Sequence, residues 1–322
     1  MEHTWNDILA LVSKEYGIPA DEIAPMAMGV GGDTFRLSGP RGKFIYKESQ
    51  ESEMNHPKAE ASLCDFLLQK GIPVAEYIRN RNGDFPIDRG NGRIPLLYRY
   101  VEGQVLAPNT APQWFLQQSP LLLAKIHMVM QDYIPLAYGL GKPFFDYMTP
   151  ERAKNSYLES MELAKQQGET AVLDALEFRY GLMDKIKDWH FDVDRLTYRN
   201  THGDYTINQI ICGDDRINAV IDWTSACRHP VVWEITRSFF YAEPTCAGGY
   251  YDEKRFKDYV DLYCSIAALN QYDRDHLLTL YYYQIAVCDY YSQYLHAEED
   301  KKDGFLTQAE FATKVLRNSG IV

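Results

Sequence analysis

The chain has 322 residues, 46% of them hydrophobic and 24% charged, with a formal net charge of -12, so it can bury a sizeable core at the upper edge of what one domain usually holds. The acidic balance argues against a binder of nucleic-acid backbones, whose affinity comes from clustered Lys and Arg that displace counterions; an electropositive or zwitterionic small molecule is easier to accommodate. The segment MEHTWNDILALVSKEYG lacks a basic leader followed by an apolar run, and no stretch approaches the roughly 20 apolar residues of a membrane span. A cytoplasmic protein without a membrane partner is expected. Cys64, Cys212, Cys227, Cys246, Cys264 and Cys288 are scattered with no CxxC pair, which favours buried free thiols over a zinc cage or a disulfide framework.

In chain order, the first hundred residues mix strand-like and turn-like segments. Met28 to Leu37 places Gly29, Gly31 and Gly32 before an alternating run, and Lys43 to Lys47 follows Gly39, Pro40 and Gly42, which predicts a two-stranded hairpin. Pro57 to Lys70 predicts a helix closed by Gly71 and stopped by Pro73. Its apolar stripe Glu60, Leu63, Leu67 is spaced i, i+3, i+7 and carries a carboxylate toward the core, where it needs a cationic partner. Ile94 to Val101 reads as a third strand that ends at Glu102-Gly103, where the chain can bend into a second body.

From about residue 110 the pattern becomes helical: Pro112 to Gln131, Pro150 to Gln167, Glu169 to Asp188, Asp252 to Leu269 and Arg274 to Ala297. A small lobe (residues 1–102) followed by a larger helical one (residues 103–322), sharing a tight interface, is the expected organisation. His127 reads as a satisfied core histidine and Arg237 as half of a structural ion pair. Tyr283, Val287, Tyr290 and Tyr294 are spaced as a core stripe, although Tyr281 to Tyr283, Asp289 to Tyr291 and Tyr294 also offer aromatic faces beside a carboxylate, the chemistry that holds ammonium groups. The charged block Glu298 to Asp303 reads as a solvated loop.

The most informative stretch is Thr201 to Cys212, THGDYTINQIIC, followed by the polar turn Gly213 to Arg216 and then Ala219-Val220-Ile221-Asp222-Trp223. The turn should fold two short strands into a hairpin that brings Asp222 back beside the Asp204 loop. Two acids with different jobs suit phosphoryl transfer, where one carboxylate orients the acceptor hydroxyl and other oxygen ligands hold the metal on the phosphates. Taken singly, each Asp also reads as an ordinary turn or helix cap.

His202-Gly203-Asp204 together with Ile221-Asp222-Trp223 resembles the aminoglycoside phosphotransferase and choline kinase superfamily, across nearly the whole chain. The resemblance implies an α+β, two-lobed, protein-kinase-like fold: a small lobe with an antiparallel sheet and one helix, and a larger, mainly helical lobe. It implies an ATP-dependent small-molecule kinase, with GTP as the alternative donor and magnesium as cofactor. Asp204 would be the catalytic base, Asp222 the main metal ligand and His202 a structural residue of the loop. The family's usual Asn five positions after the catalytic Asp is replaced by Gln209, so either Gln209 or the preceding Asn208 supplies the second metal ligand.

Gly31, Gly32, Asp33 and Thr34 match the turn that covers the phosphates, and Lys47 matches the lysine on the α- and β-phosphates. Glu60 is expected to pair with Lys47, with Glu53 as the rival. Leu96 to Val101 and Glu102-Gly103 resemble the hinge that meets adenine, and Leu123-Ala124-Lys125-Ile126-His127 resembles a core helix of the family. The acceptor is a small hydroxyl-bearing molecule, an aminoglycoside, amino-alcohol or similar metabolite, and the acidic composition leans toward a cationic one. A non-catalytic nucleotide-binding member of the fold is the alternative, motivated by Gln209. Protein phosphorylation is disfavoured: no Ala-Pro-Glu segment follows Asp222, and Gly203 stands where protein kinases carry Arg.

Overall fold

The computed structural model describes residues 5–26, 34–51, 55–85 and 92–321. The chain opens with helix α1 (Trp5–Tyr16), which the sequence reading left unassigned although Ile8, Val12 and Tyr16 repeat at helical spacing and are all buried. Next come β1 (Glu22–Pro25), β2 (Thr34–Gly39) and β3 (Gly42–Gln50), then α2 (Pro57–Gln69) and β4 (Arg93–Arg99). The four strands form one antiparallel sheet in sequence order. The expected hairpin is β2–β3, in register from Thr34 opposite Lys47 to Gly39 opposite Gly42. Helix α1 packs Ile8, Val12 and Tyr16 against Leu37, Phe44, Tyr46 and Leu97 of that sheet.

Helix α2 begins at Pro57, where a missing N–H costs nothing, and ends as expected just before Gly71. Its stripe Glu60, Leu63 and Leu67 is fully buried. Leu63, Cys64 and Leu67 belong to the large core that continues through the helical part of the molecule, so apolar packing is continuous from the sheet's own helix to the far side of the chain.

The second part starts with β5 (Gln104–Val105) and α3 (Gln113–Val129), then α4 (Lys142–Tyr147), α5 (Pro150–Gln167), α6 (Thr170–Ile186) and β6 (Tyr198–Thr201). Strands β7 (Ile210–Cys212), β8 (Ile217–Val220) and β9 (Cys227–Pro230) follow, and then α7 (Val231–Ala242), α8 (Glu253–Cys264), α9 (Gln271–Val287), α10 (Tyr290–His296) and α11 (Glu299–Arg317). Strands β5, β7 and β8 form a small antiparallel sheet, and β6 pairs antiparallel with β9. The fold is α+β, an antiparallel sheet followed by a larger, mostly helical part.

Two expectations fail here. The single helix expected from Arg274 to Ala297 is broken into α9 and α10 at Cys288-Asp289, where Asp289 accepts the Ser292 amide at 2.9 Å as a new N-cap. The fully buried Arg179 donates to the Ile285 and Cys288 carbonyls, satisfying acceptors that a helix end leaves open. The block Glu298 to Asp303 is not a loop: Glu298 is the N-cap and Glu299 to Asp303 begin α11, held because Ala309, Ala312, Val315 and Leu316 bury the helix's inner face. The tyrosine stripe is core, with Tyr281, Tyr282, Tyr283, Tyr290, Tyr291 and Tyr294 all buried. Four of the six free cysteines are buried and two half-buried. Among the described residues, no helix is long and apolar enough to cross a membrane.

Candidate active site

The loop after β6 carries His202, Gly203 and Asp204, and β7–β8 return the chain to Asp222, as the polar turn predicted. His202 ties the two acids' segments together. Its Nδ1 accepts the Asp204 amide at 3.2 Å, which leaves Nε2 to donate to the Ile221 carbonyl at 2.9 Å. Between them, Gly203 takes φ +82, and a β-carbon there would lie 1.9 Å from the Ser225 carbonyl oxygen, so only glycine fits.

A buried carboxylate that sequence reasoning missed holds this loop. Glu234, on α7, accepts the Gly203 amide at 2.6 Å and the Tyr205 amide at 3.4 Å with Oε1, and Nε2 of His127 lies 2.8 Å from Oε2. The other nitrogen of His127 pairs with the Tyr263 hydroxyl at 2.8 Å. His127 is thus the satisfied core histidine expected. Burial raises the Glu234 pKa, but the hydrogen bond and charge of His127, with His202 and His229, outweigh it and hold the group below its ordinary range. An acid on an otherwise apolar helix, VVWEI, was the available signal.

Asp204 is held on both oxygens. The Gln209 amide nitrogen donates to Oδ2 at 3.0 Å, and Arg237 of α7 donates to Oδ1. Arg237 is therefore half of an ion pair, as expected, but its partner is the candidate base itself.

Asp222 takes a left-handed conformation, φ 61, rare for a residue with a side chain and typical of functional positions. Its Oδ1 accepts from Lys47 Nζ at 2.9 Å and from the Thr224 hydroxyl at 2.8 Å. Burial raises the Asp222 pKa, but the Lys47 charge and these bonds outweigh it, so the group sits low. Burial likewise works against the charged form of Lys47, yet the Glu60 and Asp222 carboxylates keep its pKa above the ordinary value.

The expected Lys47–Glu60 pair is corrected here: Lys47 reaches Asp222, and Glu60 acts on it only through its field. Glu60 Oε1 accepts the Tyr77 hydroxyl at 2.9 Å and the Trp223 amide at 3.2 Å, while Oε2 is buried without a partner. Burial, with the Asp222 charge, pushes the Glu60 pKa up to about 7 despite Lys47. Helix packing fixed the inward direction of Glu60; which of two nearby carboxylates the lysine bonds is not something spacing reveals.

These groups meet in a cavity of about 610 Å³ lined by Lys47, Glu60, Asp222, Asn208, Gln209 and Thr34. Ile45, Val101, Val105, Ile211 and Val220 supply apolar walls, and Tyr98 to Val101 with Gly103 form the strand-end edge resembling a hinge. Gly31, Gly32, Asp33 and the rival Glu53 lie outside the described residues. Asp204 does not line this cavity; Gln209 joins it to the wall.

No curated protein sequence matches the chain. Among solved structures, spectinomycin phosphotransferase with ADP and spectinomycin aligns at TM-score 0.65 and 14% identity, covering 100% of both chains. Amicoumacin kinase with AMP-PNP and Ca2+ aligns at TM-score 0.65 and 13% identity, covering 99% of this chain and 95% of that one. An aminoglycoside phosphotransferase from Alicyclobacillus acidocaldarius aligns at TM-score 0.62 and 12% identity, covering 98% and 96%. At such identities the likeness speaks for the fold. A sequence model of the phosphotransferase enzyme family matches residues 22–263, a span that holds Lys47, Glu60, Asp204 and Asp222, and the chain belongs to that family.

Proposed function

We propose that the protein transfers the γ-phosphoryl group of ATP, or of GTP, to a hydroxyl group of a small molecule. The observation that carries this reading is the Lys47–Asp222 contact at 2.9 Å, made by residues 175 positions apart on the wall of a cavity. The solved neighbours that hold a nucleotide beside spectinomycin or amicoumacin support a small-molecule acceptor. We place the division between the nucleotide-binding lobe and the larger lobe at residues 102 and 103, in a cytoplasmic protein.

Asp222 and an amide oxygen of Gln209 or Asn208, which line the same cavity, would hold a magnesium ion, a hard cation that takes oxygen donors. When bound, magnesium neutralises charge on the transferring phosphates. Lys47 moves from Asp222 to the phosphates. Thr34 flanks them, as we propose for Gly31, Gly32 and Asp33. The acceptor hydroxyl gives its proton to Asp204 as its oxygen forms the new bond to the γ-phosphorus. The bond from that phosphorus to the bridging oxygen breaks, and its electron pair leaves on the nucleoside diphosphate, ADP or GDP. Gln209 and Arg237 hold the Asp204 carboxylate still while this happens, and orientation of this kind is most of what a phosphotransferase supplies.

The test combines thermal stability with phosphate transfer across aminoglycosides, amino-alcohols, sugars and hydroxy acids. Magnesium with ATP should stabilise the wild type, since a ligand that binds only the folded state does so by mass action. Asp204→Asn should keep that shift and lose about 10²–10⁴-fold in kcat, whereas Asp222→Ala should lose the shift itself. Absence of a magnesium-dependent nucleotide shift in the wild type, or full turnover by Asp204→Asn, would sink the reading.

A further inference from the structure

We propose that the Arg237 guanidinium is an oxyanion subsite beside Asp204, so that the acceptor is a small alcohol carrying a carboxylate or phosphate group. This rests on the phosphotransferase reading and deepens it by naming a substrate class. Arg237 contacts the Oδ1 side of Asp204, while the nucleotide cavity reaches Asp204 through Gln209 on Oδ2. A ligand group on Arg237 therefore belongs to the acceptor, not to the nucleotide.

The guanidinium is underused. Of its five N–H donors, one nitrogen donates to Asp204, and Nε is buried with no partner. Among the described residues Asp204 is its one ion-pair partner. A purely structural arginine at 13% side-chain exposure would be expected to spend more of its donors, because buried polar groups left unpaired are costly. Arg179, the other deeply placed arginine in this half of the molecule, bonds to two carbonyls and two hydroxyls.

The group is also held ready. Trp233, Arg237 and Tyr241 stand four residues apart on α7, with the guanidinium carbon 5.5 Å from the Trp233 ring and 4.7 Å from the Tyr241 ring. Trp233 is anchored by its indole N–H to Gln284 at 3.3 Å, and Tyr241 packs on Phe311 at 5.0 Å. A planar fork fixed between rings suits a planar or tetrahedral oxyanion.

The opposite chemistry is not available where the sequence suggested it. Ammonium recognition needs open aromatic faces and a spare carboxylate, but Tyr281 to Tyr283, Tyr290 and Tyr294 are buried. Asp289 is spent on the Ser156 and Ser160 hydroxyls and the Ser292 amide.

Four probes on one three-carbon frame test this: glycerate, glycerol 3-phosphate, glycerol and 3-amino-1,2-propanediol, titrated into protein saturated with magnesium and AMP-PNP. At least one anionic probe should bind about tenfold or more tightly than glycerol, and the amine no better than glycerol, as a charge-assisted hydrogen bond implies. Which anion wins separates carboxylate from phosphate. Arg237→Met should erase the preference, and Arg237→Lys should restore part of it. AMP-PNP binding by each variant reports folding, because Arg237 does not line the nucleotide cavity. The subsite is overturned if neither anion shows the preference, if the amine binds as well, or if Arg237→Met keeps it. Failure of the wild type to bind AMP-PNP would instead sink the phosphotransferase reading.

Discussion

Gly203 shows how little room the loop allows. Its φ of +82 and the 1.9 Å approach of the Ser225 carbonyl to a hypothetical β-carbon mean that Gly203→Ala must displace either Asp204 or the segment after Asp222. We expect a stability loss of about 1–3 kcal/mol from the strained backbone, with a larger proportional loss in kcat than in nucleotide affinity, because Lys47 and Asp222 lie on the other side of His202. Thermal unfolding and kinetics of the variant check this; an unchanged Tm would mean the loop has slack that the geometry denies. The meeting of the Asp204 and Asp222 segments was legible in the sequence because the polar turn between them folds β7 back on β8. The role of Glu234 was not, because its partners lie 29 to 107 residues away along the chain, and for Arg237 the ion pair was readable but its partner, 33 residues away, was not. Spacing predicts which face of α7 turns inward, not which loop amide or carboxylate waits there.

Helix α7 acts on the site through consecutive turns: Glu234 holds the loop's backbone and Arg237 its carboxylate. Because Glu234 is fully buried and accepts the Gly203 and Tyr205 amides beside His127, Glu234→Gln should cost about 1–3 kcal/mol, the range for leaving a buried hydrogen-bonding group without its partner. The sign of its pH dependence follows from its lowered pKa. The stabilisation is present above the ordinary glutamate value of 4.5 and is lost as pH falls through the lowered one. Denaturant unfolding of wild type and variant between neutral and acid pH should therefore converge at the acid end; parallel curves would deny Glu234 its charge. Elements with clear caps and stripes were readable, such as α2 with Pro57 at its start and Gly71 beyond its end. The α9–α10 break was not, since it depends on Arg179 arriving from α6 to cap carbonyls whose own sequence continues a helical pattern.

For the whole molecule, the question is whether the sheet part and the helical part unfold as one. The core running from Leu63 and Leu67 into the helices, and the bonds from Asn55 to the Trp223 and Thr224 carbonyls at 3.0 and 2.8 Å, predict a single transition. Two buried groups on opposite sides of that junction make this measurable. His229, facing Glu234, Arg237 and His127, is pulled by burial from 6.5 down to about 4. The folded state binds fewer protons, so stability is full above pH 6.5 and falls as pH drops toward 4, by about 3 kcal/mol in all. Glu60, raised from 4.5 to about 7 by burial first, has the opposite sign. The folded state binds more protons, so stability falls as pH rises from 4.5 to 7. Between pH 4.5 and 6.5 the two slopes oppose each other. His229→Gln should therefore make stability fall less steeply on acidification, and Glu60→Gln should make it fall more steeply, both within one cooperative urea transition. If the two parts unfold separately, each substitution will instead move a different transition and leave the other where it was, and the continuous core will have been given more cooperativity than it has.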